Sequence, residues 1–466
     1  MSRLRSIGVA GGFALALSLA GCTTLIPDYE RPAAPVAAAY PGATAAPAPA
    51  GAAASDIEWQ SYFGDARLKR LIDVALTNNR DLRVAALNIE QARAQYQVRR
   101  ADELPTVGIG ATGTRQPSGS GGISSVYTAG VSVTAYELDF FGRVRSLSAA
   151  ALAQYLGTEE ARKNVQIALV SSVATTYLNL LADDELLAVT RQALTTREDS
   201  LKLTRLKFDV GAASELDYRQ AESLLEGARV TLAQLTRQRA VDENALVLLL
   251  GQSLPADLPQ ASSLTSQNLV NELPVGLPSE VLVRRPDVRA AEQQLIASNA
   301  NIGAARAAFF PRITLTGSAG SASSQLSGLF KSGSSAWSFM PQLLLPIFDS
   351  GRNQANLDAA KVGRDIAVAQ YEKAIQTAFR EVSDALAGLA TLGEQVRAQA
   401  AQVNAEAQRF KLADLRYRNG AASYLDVLDA QRALFATQQA LVQAQAQQAQ
   451  NQVVLYKALG GGWKTP

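Results

Sequence analysis

Polar and apolar residues alternate along two short stretches of this chain, and each stretch is followed by a long region without alternation. In the first, Val107, Ile109 and Ala111 alternate with Thr106, Gly108, Gly110 and Thr112; after a polar Gly/Ser loop, Ala129, Val131, Val133 and Ala135 alternate with Thr128, Gly130, Ser132 and Thr134. A period of two predicts a hairpin, about 105–139, with one apolar and one polar face. A second hairpin, about 311–348, has Ile313 and Leu315 alternating with Arg312, Thr314 and Thr316, and a partner running from Trp337 to Phe348. No proline then occurs between Pro117 and Pro255, or between Pro346 and Pro466. These gaps are filled with strong helix formers and predict helices over 143–209 and 352–418. Each would hold 67 residues, a length of about 100 Å. Gly211 and Gly420, each followed by Ala-Ala-Ser, supply a C-cap and an N-cap in succession, so helices return over 214–250 and 423–459.

The two stretches are copies. Gly142 to Gly251 returns without insertion or deletion as Gly351 to Gly460, 209 positions later, with Gly211-Ala212-Ala213-Ser214 matching Gly420-Ala421-Ala422-Ser423 and Leu216-Asp217 matching Leu425-Asp426. Upstream, Asp81, Arg83, Arg100, Ala101 and Pro105 answer Asp287, Arg289, Arg306, Ala307 and Pro311 at an offset of 206. The division that follows is 59–277 for repeat 1 and 278–466 for repeat 2, with segments 252–277 and the C-terminus following the returning helices. Each half supplies strands of membrane-spanning length, about 9–11 residues. Four strands cannot close a barrel, whose minimum is about eight. If they span a membrane the chain must oligomerise, because open edges in lipid leave backbone groups unpaired.

Composition narrows the chemistry. Aromatic residues make up 6% of the chain and the 47% hydrophobic fraction leans on alanine, which predicts close helix contact through small residues rather than one bulky core. A net charge of +2 offers no basic stripe for nucleic acid. The chain has no histidine, which removes imidazole bases, triads and ligands; no paired carboxylates are visible on the long helices, and an enzyme is not expected. Gly108 to Gly113 matches the dinucleotide pattern G-x-G-x-x-G but lies within a strand, where no helix follows. Asp426 and Asp429 share one face of the returning helix with Leu425 beside them. They read either as solvated first-turn charges or, in a ring of copies, as a constriction. No metal site or cofactor is expected beyond a covalent lipid.

That lipid would sit on Cys22, the only cysteine. Arg3 and Arg5 precede an apolar run from Ile7 to Leu19 and then Leu19-Ala20-Gly21-Cys22, the order of a lipoprotein signal peptide over 1–21. The run is shorter than the about 20 residues of a spanning helix. Residues 22–58, with five prolines between Pro32 and Pro49, are expected to form an extended, lipid-anchored linker.

Taken together, Leu-Ala-Gly-Cys, Ile26-Pro27-Asp28-Tyr29, Asn79-Arg80-Asp81-Leu82-Arg83, Phe141-Gly142-Arg143, Arg284-Arg285-Pro286-Asp287, Ala307-Ala308-Phe309-Phe310-Pro311, Leu428-Asp429-Ala430-Gln431-Arg432 and the Lys457–Trp463 end resemble the TolC-like outer-membrane factors, in their lipoprotein (NodT/OprM) branch. The resemblance implies a mixed α and β membrane protein with an internal two-fold repeat: a homotrimer whose 12-stranded transmembrane β-barrel continues as a long periplasmic α-helical barrel. It implies a passive exit duct for antibiotics and other small toxic compounds, lipid-anchored in the Gram-negative outer membrane, working with a periplasmic membrane-fusion adaptor and an inner-membrane RND or ABC pump. It places adaptor contacts at Val210, Gly211, Ala212, Ala213 and Ser214 and at Asn419, Gly420, Ala421, Ala422 and Ser423. It places a gate at Leu425, Asp426 and Asp429, with Tyr417 and Asp217 tied by a hydrogen bond; an arginine of the TolC latch is replaced by Ala422. The alternatives are a type I protein-secretion duct, a metal-efflux duct, which has little support because Met1 and Met340 are the only methionines, and a lipid-anchored coiled-coil spacer without a channel.

Overall fold

The computed structural model describes residues 24–41, 54–119, 121–267, 273 and 278–464. The expected signal peptide over 1–21 and the expected lipidation site Cys22 lie outside them. Short helix α1 (Trp59–Tyr62) and helices α2 (Ala66–Asn78) and α3 (Arg80–Ala101) lead to strands β1 (Val107–Pro117) and β2 (Ile123–Glu137). Helices α4 (Arg143–Asp209) and α5 (Glu215–Leu250) follow, then α6 (Pro278–Arg284) and α7 (Pro286–Ala307). Strands β3 (Arg312–Ser323) and β4 (Ser335–Leu344) precede α8 (Arg352–Arg418) and α9 (Tyr424–Ala458). The chain forms two compact units, and each draws on both sequence repeats.

The first unit contains the segment ending at Ala33, Leu87–Glu160 and Arg289–Ala374. Its four strands form one antiparallel sheet in the order β1-β2-β3-β4. Thr112 pairs with Thr128 and Ser318 with Ser338, and their hydroxyls bond at 2.6 and 2.8 Å. The opposite face carries Val107 against Val133, Ile109 against Val131 and Ala319 against Trp337. Ile109 and Trp337 are 87% and 78% exposed, so among the described residues no core covers this apolar face. Gly130 and Gly320 oppose each other at the centre of the sheet. A Cβ on either would collide with the backbone of the facing strand, so both positions require glycine for close approach. The β2–β3 register shifts between Val133 and Tyr136, where Ala135 has a φ of 52°, the mark of a bulge. At the foot of the sheet Glu137 accepts two hydrogen bonds from Arg143, at 2.8 and 2.7 Å, and one from Arg312 at 2.6 Å. The helices of this unit meet through Ala150, Ala153, Ala297 and Ala300, the small-residue contact that the alanine-rich composition predicts.

The second unit contains Ala34–Ala86, Ala161–Val288 and Ile375–Pro466. Here the expectation of a thin core fails. Trp59, Tyr62, Phe63 and Tyr456 are all buried with Leu68, Leu71, Ile72, Leu178, Leu246 and Leu250, and Tyr62 stacks on Tyr456 with ring centres 4.0 Å apart. Aromatics are few in the whole chain but concentrated in this cluster, which a global percentage conceals. Helix α2 starts where Asp65 accepts from the amides of Arg67 and Leu68 at 2.7 and 3.1 Å. Arg285, inside the Arg-Arg-Pro-Asp motif, is buried and bonds Asp287, Glu381 and the carbonyl of Ala458. The described parts of the segment expected as an extended linker are docked on the second unit at two points. Tyr40 is buried and stacks on Phe379 at 5.0 Å, and Ala54 joins the same cluster, because an aromatic ring in an Ala/Pro stretch gains more by burial than the tether gains by freedom.

Candidate gate and helix-hairpin tips

Both α-hairpins turn by the same device. Gly211 and Gly420 adopt φ of 74° and 72°, the left-handed region that favours glycine. The amides of Ala212 and Ala421 then reach back to the carbonyls of Lys207 and Arg416 at 2.7 and 2.8 Å, closing each helix end in a Schellman bond. Ser214 and Ser423 start the returning helices. The amide and hydroxyl of Ser214 donate to Asp217 Oδ2 at 3.1 and 2.8 Å, and the amide of Asp217 donates back to Ser214 Oγ at 3.1 Å. Ser423 donates to Asp426 Oδ2 in the same manner, at 3.3 and 3.1 Å. Val210 is 74% exposed; Gly211, Ala212, Ser214, Asn419, Gly420, Ala421 and Ser423 are exposed, and Ala213 and Ala422 are half-buried. Between the hairpins a small core of Ala221, Leu224, Tyr417, Tyr424, Val427 and Leu428 locks the tips together.

The residues expected to form a gate divide. Leu425 is 60% exposed and stands beside the exposed Asp426 and Asp429. Asp426 is engaged in the cap, and Asp429 accepts from Arg409 of α8 at 2.5 Å. Arg409 also holds Glu406 at 3.2 Å. No local pattern marks Arg409, because a position 20 residues away meets Asp429 only after the chain has turned at Gly420. The expected tie between Tyr417 and Asp217 is absent within the chain: the Asp217 carboxylate is taken by Ser214, while Tyr417 is buried with the Lys207 ammonium 3.7 Å from its ring centre. The cross-helix hydroxyl contact belongs instead to Tyr424, whose oxygen lies 3.1 Å from Ser200 Oγ on α4.

One carboxylate pair also escaped the sequence. Asp183 on α4 meets Asp242 on α5; it is buried, and its Oδ2 has no hydrogen-bond donor. Burial first, and then hydrogen bonding to Asp242 and its charge, push Asp183 up to about 7. Neighbouring charges are balanced by Arg239, which binds Asp184 and Glu243 at 2.6 Å each. The pair is 59 residues apart in sequence, and only the antiparallel return of α5 brings it together.

Known proteins share this arrangement over nearly its full length. The profile of the outer membrane efflux protein family matches residues 71–252 and 277–461. The chain is 51% identical to the solvent efflux pump outer membrane protein SrpC of Pseudomonas putida over 471 residues, covering 97% of each. It is 50% identical over 457 residues to the antibiotic efflux pump outer membrane protein ArpC of Pseudomonas putida, covering 96% of this chain and 94% of that one. The open-state outer membrane channel MtrE of Neisseria gonorrhoeae superposes with a TM-score of 0.87 at 43% identity, covering 95% of this chain and 99% of that one. With the repeat, the sheet and the capped hairpins all accounted for within that match, the chain belongs to the outer membrane efflux protein family.

Proposed function

We propose that this protein is the outer-membrane exit duct of a tripartite efflux pump, passively conducting organic solvents, antibiotics and other small toxic compounds. The observation that carries this reading is the sheet: four strands, with an apolar face that has no core and with β1 and β4 at its edges. Three copies joined edge to edge make a 12-stranded barrel with no free edge, the arrangement that lipid demands. Lipid on Cys22 anchors the chain, and the α-hairpins form a wet tunnel on the periplasmic side. The tips at 210–214 and 419–423 meet a periplasmic adaptor, and an RND-type inner-membrane pump supplies the energy. Leu425, Asp426 and Asp429 form the gate, with Arg409 restraining Asp429; Tyr417 and Asp217 support it through the tip core and the cap. The relatives' names support solvents and antibiotics as cargo.

The test is complementation. A strain stripped of its own outer-membrane ducts, but carrying a matched adaptor and pump, should regain tolerance to toluene and to several antibiotics when this gene is expressed. Trimers present in the outer membrane with no gain in tolerance to any compound would overturn the reading.

A further inference from the structure

The Ile26-Pro27-Asp28-Tyr29 motif has no part in the duct, the tips or the gate, yet it is built into the first unit with unusual care. The carbonyl of Leu25 accepts from Arg306 at 3.2 Å and that of Pro27 from Asn299 Nδ2 at 2.7 Å. Tyr29 donates its hydroxyl to Glu292 at 3.0 Å, and Arg31 grips the same carboxylate with two bonds, at 2.7 and 3.1 Å. Positions 292, 299, 303 and 306 lie on one face of α7. Gly303 is the notch in that face: a Cβ there would lie 2.6 Å from Ile26 Cγ1 and 2.7 Å from Ser146 Oγ. Ile26 thereby enters the alanine seam between α4 and α7. Glu292 is buried, so its charge is compensated by Arg31 rather than by water.

We propose that Leu25–Arg31 is a strap that fixes where the N-terminal anchor meets the membrane, an inference that rests on the lipoprotein reading of Cys22. Two residues, Thr23 and Thr24, separate Cys22 from Leu25, so the three steps between them reach at most about 11 Å. Leu25 is held by Arg306 in the last turn of α7, and the chain continues from there into β3 at Arg312. The strap therefore sets the acyl chains at the level where the strands begin. It keeps their attachment point within that reach of the foot of the sheet. Anchoring and strand insertion become one positioned event instead of two independent ones.

The test separates position from mere packing. About twelve Gly/Ser residues inserted after Thr24 leave the lipobox and the strap intact but add roughly 20 Å of flexible tether. That insertion should slow trimer assembly in the outer membrane several-fold, towards the rate of Cys22→Ser, with palmitate incorporation unchanged. Arg31→Glu and Glu292→Arg should each do the same, and the double charge exchange should restore the wild-type rate. A fully labelled insertion variant that assembles at the wild-type rate overturns the strap, as does a double exchange no better than its parents. Wild type that takes up no palmitate ends the lipoprotein reading, and the strap's role with it.

Discussion

Burial and the facing carboxylate of Asp242 place Asp183 where its proton is lost near neutral pH. The sign follows from linkage: a carboxyl raised in the folded state contributes its full stability below the ordinary carboxylate range, and that contribution is lost as pH rises through about 7. The α4–α5 contact is therefore tightest in acid. Between about pH 6 and 8 the opening of that contact should become roughly tenfold easier, read as amide exchange in the Gln238–Leu246 part of α5 after correction for intrinsic rates. Asp183→Asn, which carries its own donor, should remove the pH dependence, and Asp184→Asn should keep it. An Asp183→Asn protein with the wild-type pH profile would show that the pair does not share a proton. Single-residue chemistry of this kind was poorly legible in the sequence. Gly211 and Gly420 announced themselves by repetition, but Asp183 and Arg409 acquire their partners only through chain reversal, which no local pattern records.

The elements were far more legible. The two proline-free gaps contain the 67-residue helices Arg143–Asp209 and Arg352–Arg418, because helix formers without a breaker have no reason to stop before a left-handed glycine. Alternation located the strands, but it did not mark the bulge at Ala135, since a one-residue shift depends on the partner strand. It also carried the fourth strand on to Phe348, whereas pairing ends at Leu344, shortly before Pro346. Helix starts matter as much as stops. Ser214→Ala and Ser423→Ala each remove one side of a serine–aspartate cap and should cost ~1 kcal/mol apiece. The two effects should add when combined, since each cap bonds only within its own turn. Faster exchange confined to the first turns of α5 and α9 is the expected observation; unchanged protection there would mean that tertiary contacts alone hold the tips.

For the whole molecule, the sheet decides what the protein can live in. A lysine in place of Ile109, on the apolar face, should cost ~2–4 kcal/mol per chain at mid-membrane depth and block folding into lipid bilayers. Lysine in place of Thr112, on the polar face, should be tolerated. Equal folding yields for the two variants would contradict the assignment of faces. The equal length of α4 and α8 has a consequence of another kind. Deleting one residue from either would lower the tip beyond it by about 1.5 Å and turn it by about 100°. In the second unit that would drag Leu201 and Leu203 past Phe410, Tyr417 and Tyr424, which pack against one another in the tip core. A matching deletion in the other helix would bring the two tips back to a common height. One tip core joins the far ends of the two helices in the second unit, so their lengths are free to change only in step, and equal length is what lets the two tips meet.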